Sequence, residues 1–424
     1  MSFQQGLSGL NAAAKNLDVI GNNVANASVV GFKGSQAQFA DVFASSLGGS
    51  GANQIGIGAQ VKAVAQQFSQ GNITVTNNPL DIAINGKGFY RMSQNGTISY
   101  SRNGQFHSNN AGYLVNADNL RLTGYTVDAF GNIVATAPVD LRVSTVDITP
   151  RATTTFTSGF NLDARSGVLA PASFNTANPA TYTSSTSGSV YDSLGNSHVF
   201  TLYFLKSASN AWRTYATVDG AATAGGVPIG VTLGGGASQA LSFGTGGALT
   251  APAAPVAVSV DLNAIATALG TANGATSPLA FTLDMTSATQ FGTGFSVNTL
   301  SQDGYTSGRL SGFNVAGDGV MQGHYSNGQT KILGQVVLAD FNNSQGLKPL
   351  GRNLWEETSD SGLPIIGVPS SGSLGALQAA AVEDSNIDLT AELVNMITAQ
   401  RVYQANAQSI KTQDAVLQTL VNLR

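Results

Sequence analysis

The sequence predicts a mainly β protein with α-helical termini. Nested antiparallel β domains, an inner split domain carrying an inserted outer one, are closed by a terminal helical coiled-coil pair. Three observations carry this. Apolar residues at both ends of the 424-residue chain recur at alternating steps of three and four, the spacing of a narrow helical seam offered to a partner helix. The interior is punctuated by Asn-Gly pairs between short strand-like runs. No helical pattern of roughly 10–15 residues separates those runs, which argues against a parallel βαβ sheet.

Taken in order, the first element is a helix within 1–27. Its seam is Phe3, Leu7, Leu10, Ala14, Leu17 and Val24, with Gly21 in one slot and Ser2 placed to cap the start. The pattern fades at Asn26-Ala27-Ser28. Residues 28–73 and 375–384 read as linker, the first including the Gly-rich stretch GGSGANQIGIGAQ (Gly48–Gln60). Residues 74–148 and 301–374 read as the two halves of the inner β domain. The outer domain occupies 149–300, entered through the Thr-rich stretch Thr145–Thr157 and left through Val297–Gly308. Candidate strands are Gly88–Ser93, Thr97–Arg102, Val199–Leu205, Arg213–Val218, Leu279–Met285 and Gln335–Phe341. Asn-Gly pairs begin at Asn85, Asn95, Asn103, Asn273 and Asn327, and such pairs supply the positive φ angles of tight hairpins.

The last element, 385–424, is a long helix without Gly or Pro. Leu389, Leu393, Met396, Tyr403, Ala407, Ile410, Leu417 and Val421 form its seam, with polar Gln400 and Asp414 filling two slots. Asp388–Arg424 would span roughly 55 Å as a helix. A helix of that length at a chain end packs beyond its own domain, and the simplest geometry brings the two ends together as an antiparallel pair. Narrow seams without partners are costly to fix, so the termini are expected to order on assembly.

The stretch NNVANASVVGFKGSQAQFADV (Asn22–Val42) resembles the N-terminal motif of the bacterial flagellar rod and hook proteins, through Asn22, Asn23, Ala25, Asn26, Gly31, Phe32 and Lys33. The C-terminal SNIDLTAELVNMITAQRVYQANAQSIKTQDAVLQTLVNLR resembles that family's closing helix, with Gln400, Arg401, Gln404 and Asn406. NPLDIAINGKGFYRM (Asn78–Met92) and LTGYTVDAFGNI (Leu122–Ile133) resemble its inner β domain. The block at 149–300 resembles nothing specific, but its presence makes the chain most similar to the hook members. The resemblance implies a self-assembling subunit of a curved tube, a universal joint carrying torque from rod to filament around the export channel. It implies, as partners, further copies of the chain, rod proteins, the hook–filament junction protein, the hook cap and the flagellar type III export apparatus. It also implies a linker that orders between neighbouring subunits, and an extracellular location reached without a cleaved signal peptide. A distal rod subunit of the same family is the alternative, and a secreted adhesin a more distant one.

Composition agrees. Charged residues make up 10% of the chain, against about 25% in ordinary soluble domains. From Ala221 to Gln302 there is no Lys or Arg, and the acidic residues are Asp261 and Asp284 alone. The hydrophobic content of 42% and net charge of −4 separate the chain from the disordered class. With no Cys, no disulfide framework exists. No basic leader precedes an apolar core, and no run of about 18 apolar residues could span a membrane. His107, His198 and His324 are scattered, and no HExxH, Walker or Gly-x-Ser-x-Gly pattern occurs. Asp81, Asp118, Asp128 and Asp340 sit beside Gly and Asn and read as turn caps. The 19 basic residues form no stripe for nucleic acid. No catalytic, cofactor or metal site is expected.

Overall fold

The computed structural model describes residues 2–42, 56–128, 131–144, 146–271 and 274–422. The hairpin expected at Asn273, most of the Gly48–Gln60 stretch and the Ser2 side chain lie outside what is described. Among the described residues there are three α-helices: α1 (Ser2–Ala25), α2 (Leu262–Leu269) and α3 (Leu389–Asn422). The remaining regular structure is β, apart from three short 3₁₀ turns.

α1 and α3 pack antiparallel, as expected. Gly6 lies against Ile410, Gly9 against Asn406, and Asn23 against Glu392. The start of α3 is set by Asp388, whose Oδ1 accepts from the Thr390 and Ala391 amides at 2.9 and 3.1 Å, a helix N-cap. α1 ends where Asn26 turns its side chain back, Nδ2 donating to the Asn22 carbonyl at 2.8 Å.

The chain forms two compact units. The first holds both terminal helices and the β body built from 1–145, 311–324 and 330–424. Part of the segment read as linker is an antiparallel hairpin here: β1 (Ser35–Val42) pairs with β2 (Gly58–Gln66), with a bulge at Gln38/Phe39. Its alternation of small apolar and polar residues suits a strand with one face on α1. In the β body the two sequence halves interleave. Phe89–Gln94 pairs with Thr97–Ser101 and with Leu338–Asp340. Arg121–Val127 pairs with Thr330–Val336. Residues 375–384, read as linker, also pair here: Ala376–Ala379 with Ile82–Asn85 and Ala381–Glu383 with Ile73–Val75. Phe89 is met edge-on by Phe68, Phe341 and Trp355. This aromatic cluster needs both halves of the chain.

Of the Asn-Gly pairs, Asn95-Gly96 forms the expected two-residue turn, with φ of 50° and 90°. Asn327-Gly328 sits in a longer loop, with Gly328 at φ 77°. Asn85 and Asn103 do not make hairpins: the strand at Asn85 is paired with Ala376–Ala379, and the strand before Asn103 with Phe89–Gln94 and Leu354–Glu356.

The second unit spans Val146–Leu310 with Tyr325–Gln329. One sheet runs Ser184–Tyr191, Ser197–Ala208, Ala211–Val218, Gln239–Phe243 and Leu249–Ala251, all antiparallel. The other sheet departs from the expected pattern. Thr155–Asp163 pairs antiparallel with Ser296–Gln302 but parallel with Leu279–Asp284 and Thr289–Phe291. Parallel pairing needs a long crossover, which the excursion between residues 164 and 278 supplies. α2 lies within that excursion, capped by Asp261 and closed by Gly270 at φ 69°. At eight residues it is too short for the periodicity to separate from strand. Phe156, Phe160, Phe200, Phe204, Trp212 and Phe281 fill the core, and the Trp212 indole donates to Gln290 Oε1 at 2.7 Å. Among the described residues no helix is long and apolar enough to cross a membrane.

Candidate assembly site

On the α1 side the helices meet mainly through small residues. On α1, Gly6, Ala12, Ala13, Ile20 and Asn23 are buried. On α3, Ala399 is buried and Asn406 sits over Gly9. A Cβ at Gly9 would lie 2.7 Å from Asn406 Oδ1, so the close approach depends on glycine. Of the sequence-derived N-terminal seam, Phe3 and Leu7 are exposed, while Leu10, Ala14, Leu17 and Val24 are half-buried. Of the C-terminal seam, Leu389, Leu393, Tyr403, Leu417 and Val421 are exposed, and Met396, Ala407 and Ile410 half-buried. Ile410 is the seam residue that lies against Gly6. On α3 the seam residues Met396, Ala407 and Ile410 thus lie toward the contact, while Leu417 and Val421 are exposed beyond the start of α1; on α1 glycine and alanine admit a closer crossing than leucine does.

The exposed apolar surface of α3 extends beyond the seam. Val394, Ile397, Val402 and Val416 are also exposed. The register places Gly6 at Ile410 and Gly9 at Asn406, so α3 runs on past the start of α1. That overhang carries Leu417 and Val421, exposed at 55% and 73%. Between α1, β1 and α3 lies a groove of about 790 Å³, lined by Ala13, Ile20, Phe39, Ile387 and Val402 among others.

The family-motif residues at the end of α1 fasten the helix pair to the β body. Asn23 Nδ2 donates to the Ser35 carbonyl at 2.8 Å and to Glu392 Oε1 at 3.2 Å, while its Oδ1 accepts from the Ser35 amide at 2.9 Å. Ala25 is the last residue of α1, and Asn22 and Asn26 bond one another. Gly31, at φ 71°, brings the chain against the Arg102–Asn103 backbone and donates its amide to the Glu383 carbonyl at 2.8 Å. Phe32 is half-buried. Lys33 is fully buried: its Nζ donates to Glu383 Oε1 at 2.7 Å and to the Ser69 carbonyl at 2.8 Å. Burial pushes its ammonium below the ordinary lysine pKa, against the pull of Glu383. Gln400, Arg401 and Gln404, by contrast, lie exposed on α3.

Sequence reasoning missed Glu383, Arg102 and Asn386. Asn386 accepts from the Gly34 amide at 2.9 Å and donates to the Gln67 carbonyl at 2.7 Å. Arg102 donates to the Gly86 carbonyl at 2.7 Å and stacks over Phe89. The available signal was the polar run EDSNID before the long helix, which is more than a cap requires.

His198 bridges Asp219 Oδ2 at 2.6 Å and Asp192 Oδ2 at 3.3 Å, and those carboxylates in turn hold the Val199 and Leu194 amides. His107 and His324 are exposed. Among the described residues no group of His, Cys, Asp or Glu could hold a metal ion.

Four family models match the chain. Flagella basal body rod protein covers residues 3–33, and Flagellar hook protein FlgE/F/G D1 domain covers 83–157. Flagellar basal body protein FlaE D2 domain covers 161–305, and Flagellar basal body rod FlgEFG protein C-terminal covers 378–423. The flagellar hook proteins FlgE of Salmonella typhimurium and Escherichia coli are each 40% identical, with 100% of both chains covered. The chain belongs to the flagellar hook protein FlgE family. It is a structural subunit of the flagellar hook, a part of the flagellum that lies outside the cell. Full-length similarity to FlgE decides between the hook and rod readings. A crystal structure of Helicobacter pylori FlgE2 shares the fold at a TM-score of 0.50 and 13% identity, covering 72% of this chain and 99% of that one. The rod-type match at 3–33 ends on Lys33, and the C-terminal match includes Glu383. The two halves of the buried fastening therefore fall in the two matches that flank the β domains.

Proposed function

We propose that this chain polymerises head-to-tail into a curved, flexible tube that works as a universal joint around the export channel. The observation that carries this reading is the row of exposed apolar residues on α3, from Leu389 to Val421, including those beyond the start of α1. Exposed apolar surface of that extent marks an interaction site, and a heterologous contact between identical copies builds an open helical assembly. The seam residues Phe3, Leu7, Leu10, Ala14, Leu17 and Val24, with Leu389, Leu393, Met396, Tyr403, Ala407, Ile410, Leu417 and Val421, are the assembly residues. Residues 1–27 and 385–424 form the tube core, and 28–73 with 375–384 settle against neighbours on assembly. Residues 74–148 and 301–374 form the wall, and 149–300 meets neighbouring copies. Rod proteins bind the proximal end, the hook–filament junction protein the distal end, and the hook cap the growing tip. The type III export apparatus delivers the chain without a cleaved signal peptide; neither nucleic acid nor membrane insertion enters.

The test is electron microscopy of the purified chain seeded on hook fragments, beside the Leu417→Glu/Val421→Glu variant. Curved tubes from the parent chain and none from a variant with unchanged circular dichroism are expected. Tubes of normal yield from the variant would remove the α3 overhang from assembly.

A further inference from the structure

The fastening between the helix pair and the β body is incomplete in a specific way. Glu383 Oε1 is fully used, accepting from Lys33 Nζ at 2.7 Å and from the Gly71 amide at 3.0 Å. Glu383 Oε2 is buried and has no hydrogen-bond partner among the described residues. Facing it, 3.7 Å away, is Arg102 Nη1, which is also buried and also without such a partner, as is Arg102 Nε. A charged donor and a charged acceptor thus face each other across a short gap. The separation is too wide for a hydrogen bond and is within about 1 Å of a strong one. Buried polar groups are rarely left so unless another arrangement satisfies them.

The gap lies where the chain passes between the two parts. Gly31–Lys33 follows α1, Ser69–Gly71 follows the hairpin of β1 and β2, Glu383 precedes α3, and Arg102 closes a strand of the β body. The passages between the helices and the β body therefore meet at one carboxylate shared by two cations.

We propose that Lys33, Arg102 and Glu383 form a two-position latch, open in this structure, in which a small shift of the α3 lead-in closes Arg102 onto Glu383 Oε2. Lys33 holds the carboxylate in both positions; Arg102 engages it in one. Buried ionic groups contribute more to choosing between arrangements than to net stability, and discrete positions follow because packed interiors are bistable rather than continuously deformable. The latch rests on the tube reading above: in a bent tube, copies on the inner and outer curve differ in the angle at which helices leave the wall, and the latch gives that angle two settings.

The experiment is a cryo-EM map of the curved wild-type tube, refined without averaging around the bend. Two classes of subunit are expected, one with the Arg102–Glu383 gap open and one closed to hydrogen-bond distance. A single gap in every subunit of a curved tube overturns the latch. Arg102→Met removes the closed setting while leaving the Lys33–Glu383 pair neutral and the stem packing in place. Tubes of this variant are expected to form with unchanged yield but straight, and Arg102→Lys to recover part of the curvature. Arg102→Met tubes as curved as wild type would overturn it equally. Tube formation tests the subunit reading; the gap and the curvature test the latch, so the two can fail separately.

Discussion

Lys33 illustrates how a residue's role changes between sequence and structure. In the sequence it is a motif lysine in a loop; in the fold it is fully buried against Glu383, 350 residues away. A carboxylate at such distance along the chain leaves no periodic signature. Other carboxylates act over a short range in the chain. Asp163 is held at a pKa of about 2 by the Arg165 side chain and amide, Asp284 is held low by Thr286, and Asp261 is held low by the Ala264 amide, the Ser277 hydroxyl and the Asn263 amide. These are short-range turn and helix caps, at positions other than the Asp81, Asp118, Asp128 and Asp340 that read as caps in the sequence. Their folded pKa values lie below the unfolded value of about 3.9, so the stability they contribute is present above that pH and lost as pH falls through the folded values. All three belong to the second unit. Thermal melting of the intact protein should therefore show no change in that unit from pH 7 to about pH 5 and a falling midpoint from about pH 4 towards pH 2. A midpoint flat to about pH 2 would mean that these caps do not couple to folding.

At the scale of elements, both terminal helices, their direction and six strand segments are legible, because three-four and two-residue periodicities are local. Which face of each helix packs inward was not. The seam rule ranks large apolar residues first, whereas the crossing is set by Gly6, Gly9 and Ala13, which let the backbones approach. The hairpin of β1 and β2 was read as linker because its strands are small and polar, and α2 was missed because it is short. The packing makes a prediction about order. α3 beyond about residue 413 has no α1 beside it, given the Gly6–Ile410 register. In dilute monomer, amide exchange should be fastest in 415–422 and slowest around Ala399 and in 12–23, where Asn23 and the hairpin hold α1. Assembly into tubes should protect 415–422. Equal protection along α3 in the monomer would contradict the overhang.

At the scale of the whole molecule, the proposed bending tube gives the scarcity of charge a role. Contacts that must slide as a tube bends are hindered by ion pairs, and weakly charged apolar or small residues offer few of them. Val168, Val199 and Val227 in the second unit are exposed at 60%, 50% and 48%. Replacing them with Lys and Glu in combinations that pair between copies should straighten or stiffen the tubes seen by electron microscopy. High salt should restore curvature by screening. Normal curvature in every such variant would disconnect charge scarcity from bending.

The sequence by itself determined the class of the fold, the helical termini, the strands with strong alternation and the family. Each of these is written in local periodicity or contiguous motif. The tertiary structure decided which helix faces are spent inside the chain and which are left for neighbours. It also decided the parallel ladders at Thr155–Asp163 and the meeting of Lys33 and Arg102 at Glu383. Those depend on contacts between residues far apart in the chain, where steric fit and the burial of charge choose among arrangements that local pattern leaves equal.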